Sequence, residues 1–161
     1  MEAGQSAATA AANDADEDTP EEVVCFYNRA GQKVPKNVTK LIVGPDVVHI
    51  DEDAFAEYEF LKEVDMSKAL SLRIIAKRAF SRCCALALVK WSPNLKAIGV
   101  SAFCCCRSLK EADMSKLNAL ETIGNYAFAY CSALVLVKWS PNLKTIGKYA
   151  FQFCGVCRRL I

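Results

Sequence analysis

The sequence predicts a β-rich α/β solenoid built from tandem turns of 23 and 25 residues. Three observations predict it. The dipeptide Ala-Phe recurs at Ala54-Phe55, Ala79-Phe80, Ala102-Phe103, Ala127-Phe128 and Ala150-Phe151, so the phenylalanines stand 25, 23, 25 and 23 residues apart. Apolar residues recur at fixed offsets from each phenylalanine. Every second turn is nearly a copy: LALVKWSPNLKAIGVSAF ends at Phe103 and LVLVKWSPNLKTIGKYAF at Phe151.

Each element of the turn follows from this register. Leu61, Leu86, Leu109 and Leu134 stand six residues after the phenylalanine, Val64, Val89, Ala112 and Val137 nine after, and Met66, Trp91, Met114 and Trp139 eleven after. This spacing predicts a short strand whose inward residues flank exposed ones, with the Met/Trp column in the core. Val47, Leu72, Leu95, Leu120 and Leu143 stand eight before, and Ile50, Ile75, Ile98, Ile123 and Ile146 five before, which predicts a second short strand. Ala-Phe-x-x-Cys reads as a tight corner or a single helical turn, too short to stand alone as a helix. Gly99, Gly124 and Gly147 fit turns that need a permissive backbone. The 25-residue turns carry two extra residues after the strand, where the 23-residue turns have Trp-Ser-Pro-Asn with Pro93 and Pro141. One turn alone cannot bury its apolar side; stacked turns share a continuous core.

Charge divides the chain. Residues 1–22 hold seven acids and no Lys or Arg, leaving eleven acids against twenty bases, or +9, in residues 23–161. We expect residues 1–22 to be a disordered acidic tail, residues 23–43 a capping hairpin with a turn at Ala30-Gly31-Gln32, and residues 44–161 the solenoid. No run of Lys or Arg exceeds two residues, so a nucleic-acid footprint is not expected.

The segments LKAIGVSAFCCCRSLKEA and LETIGNYAFAYCSALVLV, in the pattern L-x-x-I-G-x-x-A-F-x-x-C-x-x-L-x-x-V, resemble the BspA-like class of leucine-rich repeats over roughly residues 38–161. The resemblance implies a repeat solenoid. It also implies a role in adhesion at a microbial surface or in protein interaction.

No secretory signal, transit peptide or run of apolar residues of membrane-spanning length is legible, so a cytoplasmic location with free thiols is expected, with the cell surface as the alternative. Asn37-Val38-Thr39 is a glycosylation sequon that matters only on export. The nine cysteines tempt a metal reading through Cys154-x-x-Cys157 and Cys104-Cys105-Cys106, yet the chain has a single histidine, His49. Four cysteines occupy the third position after the phenylalanine and Cys157 a leucine position, so they read as small buried hydrophobes, while Cys84, Cys104 and Cys105 fall off the ladder. No nucleophile elbow, phosphate loop or metal-binding helix motif appears, so neither an enzyme nor a cofactor is expected.

The outward strand positions form the candidate site. Glu63, Leu88, Glu111 and Leu136 stand eight after the phenylalanine, and Asp65, Lys90, Asp113 and Lys138 ten after. Stacking should make them lateral neighbours in an Asp–Lys–Asp–Lys ladder on the concave face, with Leu88 and Leu136 as an anchor patch for a protein partner. Arg158-Arg159-Leu160-Ile161 falls inside a fifth strand with no cap after it, so we expect either end-to-end homodimers or a longer array of which this is a fragment.

Overall fold

The computed structural model describes residues 21–155. Most of the expected acidic tail, Cys157 and the expected fifth strand lie outside them. Strands are numbered in chain order. On one side of the coil β1 (Val24–Tyr27), β2 (Lys40–Val43), β4 (Glu63–Asp65) and β6 (Leu88–Lys90) form one parallel sheet, and β8 (Glu111–Asp113) pairs in parallel with β10 (Leu136–Lys138). A second parallel sheet stacks β3 (His49–Ile50), β5 (Ile74–Ile75), β7 (Ala97–Ile98), β9 (Thr122–Ile123) and β11 (Thr145–Ile146) without a break.

Two expectations are corrected. The α component is absent: the described residues contain no helix, and the fold is a β-solenoid of about five turns. The Ala-Phe-x-x-Cys corner carries left-handed residues two before and two after each phenylalanine, for example Arg78 (φ 54°) and Arg82 (φ 60°). These reversals break any helical run, and the corner's N–H groups bond the next turn instead, as in Phe55 N to Ala79 O and Phe80 N to Ala102 O, both 2.8 Å. The capping hairpin is not a hairpin either. Its strands pair in parallel, Val24 with Lys40 through Tyr27 with Val43. A parallel pair needs a crossover, and the stretch after β1 supplies it, making this segment a further turn of the solenoid.

The core is a set of columns. Phe55, Phe80, Phe103, Phe128 and Phe151 stack with ring centroids 5.1–5.3 Å apart and planes within 15°. The ladder cysteines line up beside them. The thiols of Cys83, Cys106, Cys131 and Cys154 each meet the carbonyl of the phenylalanine one turn earlier, at 3.0–3.3 Å. Burial pushes the Cys83 thiol up to about 12, which marks it as an inert core group. Met66 and Met114 are fully buried and Trp91 partly so, whereas Trp139 is 47% exposed, contrary to its expected place in the core. Trp139 rests edge-on against Phe151, ring centroids 5.2 Å apart.

The repeated glycines serve a purpose different from the one expected. None of Gly99, Gly124 and Gly147 has positive φ. They are required by proximity: a Cβ on Gly124 would stand 2.7 Å from the backbone of Gly99 and Val100. The stacked turns touch backbone to backbone there.

The alternation of 25 and 23 residues also has a physical reason. The longer loops present carbonyls, and the short Trp-Ser-Pro-Asn loops supply donors. Ser92 Oγ donates to Ala69 O at 2.8 Å, and Ser140 Oγ to Leu117 O at 2.8 Å and Leu120 O at 2.9 Å. Asn94 Nδ2 donates to Leu70 O and Asn142 Nδ2 to Asn118 O. A long turn and the short turn after it therefore form a bonded pair of 48 residues, the period seen in the sequence.

Candidate binding face

The eight expected face residues all lie on the strands β4, β6, β8 and β10. Glu63 sits opposite Leu88 and Asp65 opposite Lys90; Glu111 sits opposite Leu136 and Asp113 opposite Lys138. Each lysine gathers both acids of the strand before it. Lys90 Nζ lies 2.8 Å from Glu63 Oε1 and 3.4 Å from Asp65 Oδ2. Lys138 Nζ lies 3.1 Å from Glu111 Oε1 and 2.7 Å from Asp113 Oδ2. The continuous Asp–Lys–Asp–Lys ladder is therefore corrected to two separate triads, with no ion pair from Lys90 to β8. Beside them Leu88 is 45% exposed and Leu136 43%.

The interruption has a cause in the backbone. Lys62 and Glu63 donate N–H bonds to Thr39 O, Ala87 and Leu88 to Lys62 O, and Val135 and Leu136 to Lys110 O. The corresponding bonds from Lys110 and Glu111 to Ala87 are not made, and no ladder joins β6 to β8. Likewise Met66 N bonds Lys90 O and Met114 N bonds Lys138 O, but Trp91 N makes no such bond. The Trp91 ring enters the next turns, edge-on to Phe103 at 5.4 Å and to Phe128 at 6.4 Å. An indole needs more room than the methionine of alternate turns, and the sheet opens beside it. Val89 is 8% exposed at this seam, against 0% for Val64 and Ala112. The seam falls between the two 48-residue pairs.

The triads set the titration of their acids. The Lys138 bond, with two bonds from Ser115, holds the Asp113 carboxyl well below the usual carboxylate range. A depressed carboxyl stabilises the fold above its unfolded value, about 3.9, and that contribution is lost as pH falls through the lower folded value. The Asp113 carboxyl resonance should therefore titrate below about 3.9, and Lys138→Met should move its midpoint up toward that value. An unmoved midpoint would show that Lys138 does not engage Asp113 in solution.

The sequence did not reveal the opposite corner. There the left-handed residues form two exposed ridges. Arg78 grips Asp53 with Nε to Oδ1 at 2.8 Å, and Arg82 Nη1 lies 3.2 Å from Glu57 Oε1. Further along, Tyr126 stacks on Tyr149 and Tyr130 on Phe153. Between the ridges runs a groove of about 730 Å³, where the Cys104 and Cys105 sulfurs lie 3.6 Å apart. The signal was present in the same register, two residues on either side of each phenylalanine. Among the described residues no group of three or more His, Cys, Asp or Glu is placed to hold a metal ion. No described helix is long and apolar enough to cross a membrane.

Comparison with known proteins decides the family. The chain matches the BspA type leucine rich repeat region, in six copies over residues 25–158. It belongs to the BspA-type leucine-rich-repeat family. The six copies begin in β1, in keeping with the finding that residues 23–43 are a turn of the coil. Among solved structures, a leucine-rich repeat protein from Bacteroides ovatus shares 21% identity, with a TM-score of 0.54 over 75% of this chain and 39% of that one. A leucine rich cell surface protein from Faecalibacterium prausnitzii shares 24% identity, with a TM-score of 0.52 over 69% of this chain and 35% of that one. The chain thus spans well under half the length of either. No curated protein matches it.

Proposed function

We propose that this BspA-type repeat is a non-catalytic protein-interaction module that binds through the face of β4, β6, β8 and β10. One observation carries the reading. Leu88 and Leu136 stand exposed on the sheet, each beside a lysine whose charge is already taken up by two acids. Apolar anchors ringed by ion-paired side chains suit a protein surface, since each lysine comes to the contact already paired. The partner is a protein; no cofactor enters.

The test is quantitative capture by the immobilised chain. Leu88→Asp with Leu136→Asp should abolish retention of bound proteins, while Tyr126→Ser with Tyr149→Ser on the opposite corner should leave it intact. Retention indifferent to the leucines, or lost with the tyrosines, would contradict the reading. The second reading is an adhesive element at a cell surface, the location given for the Faecalibacterium protein of this fold. Glycan on Asn37 or oxidised cysteines in the native protein would favour it.

A further inference from the structure

The open seam continues into a cleft of different chemistry. Just above β6 and β8, a hollow of about 520 Å³ is lined by Lys62, Arg107, Lys110 and Ser108 over a floor of alanines, among them Ala85 and Ala133. It holds three cations and no carboxylate. The nearest acids are engaged elsewhere: Glu63 with Lys40 and Lys90, and Glu111 with Lys138. None of Lys62, Arg107 and Lys110 makes a side-chain ion pair or hydrogen bond within the described residues. Lys110, which lines the cleft, has a backbone N–H that lacks the carbonyl other turns supply; the like N–H of Glu111 belongs to the adjoining hollow of the seam, lined also by Asp113. Three cations and one unmatched backbone donor around a small apolar floor make an anion site.

We propose that this cleft binds a run of carboxylates on an extended peptide. The floor favours peptide over nucleic acid, because alanines offer no ring on which a base can stack. That peptide is the chain's own segment DADEDTPEE at residues 14–22. Glu22 lies beside the cleft: its carboxylate is 3.9 Å from Lys40, in a pocket it shares with Lys62. Lys62 and Lys110 are two turns apart, about 10 Å at the spacing of parallel strands. Asp18 is four residues before Glu22, and four residues reach about 13 Å. An acidic segment of another protein has the same chemistry, and the test separates the two sources. The site does not depend on the Leu88 and Leu136 face.

A fluorescent DADEDTPEE peptide is titrated into the full-length protein by anisotropy at low salt. Two full-length variants are compared with the wild type: one with Asp14→Asn, Asp16→Asn, Glu17→Gln and Asp18→Asn, the other with the same changes plus Lys62→Gln, Arg107→Gln and Lys110→Gln. The first should bind the peptide, and the second should lose about tenfold or more. A control with Lys77→Gln, Lys144→Gln and Lys148→Gln on the acid-neutralised chain should stay within about twofold, because its lost charges lie away from the cleft. Weaker binding by the wild type than by the acid-neutralised chain would assign the site to the chain's own segment. Equal binding would overturn the assignment to the chain's own segment and leave an acidic segment of another protein as the occupant. No binding by either, an equal loss in the control, or tighter binding of a single-stranded oligonucleotide of matched charge would overturn the proposal.

Discussion

Phe103→Ala is expected to destabilise the protein by about 3–5 kcal/mol, the largest effect of any single truncation considered. Phe103 is fully buried in the middle of the phenylalanine column. It stacks on Phe80 at 5.2 Å and on Phe128 at 5.3 Å, and meets the Trp91 edge at 5.4 Å. Truncation removes apolar contact on both sides and leaves a void that β-ribbons tied from turn to turn cannot close. Urea unfolding measures the loss, and Trp91 emission should shift to the red as its packing partner disappears. Phe151→Ala, at a residue only partly buried, should cost clearly less. A loss below about 1 kcal/mol at Phe103 would mean that the column is not a structural spine.

Gly124→Ala is expected to cost about 1–3 kcal/mol, although it adds a single methyl group. The methyl would stand 2.7 Å from backbone atoms of Gly99 and Val100, and backbone cannot swing aside as a flexible side chain can. The two turns must separate, which strains the Gly124 N to Ile98 O bond of 2.8 Å and the sheet that carries it. Gly31→Ala provides the comparison. Nothing lies within 4 Å of its added methyl, so its cost comes from a φ of +72° alone. Thermal melts of the two variants separate crowding from backbone conformation. An unchanged melting temperature for Gly124→Ala would show that the turns are not in backbone contact.

Much of this was legible in the sequence, and the parts that were not have physical reasons. The repeat register placed the strands, the phenylalanine spine and the ladder cysteines, because each is a buried residue recurring at one offset. The eight face residues were found by the same alternation. The seam was not, because it depends on how far an indole at Trp91 spreads two strands compared with a thioether at Met66 or Met114. Residue type at one position says little about strand separation. The helix expectation failed because Ala-Phe-x-x-Cys has helical spacing, while the reversal is made by non-glycine residues such as Asp53, Arg78 and Ser101 in left-handed conformation, whose N–H groups bond the next turn. The hairpin expectation failed because strand direction is set by the sheet that receives the strand. The glycines were noticed but assigned to torsion, since proximity between turns is invisible until the turns are stacked.

The face of β4, β6, β8 and β10 is open at one seam, between β6 and β8, where one 48-residue pair meets the next, while β2 and β4 stay bonded across the boundary before it. The triads, the exposed leucines and the cationic cleft all take their positions from that division. Amide hydrogen exchange tests it most directly. The N–H groups of Lys110 and Glu111 should exchange at least about tenfold faster than those of Ala87, Leu88 and Val135, which occupy equivalent places in other turns but have acceptors. Equal protection across these positions would mean that the sheet is continuous in solution, and the account of an open seam would be wrong.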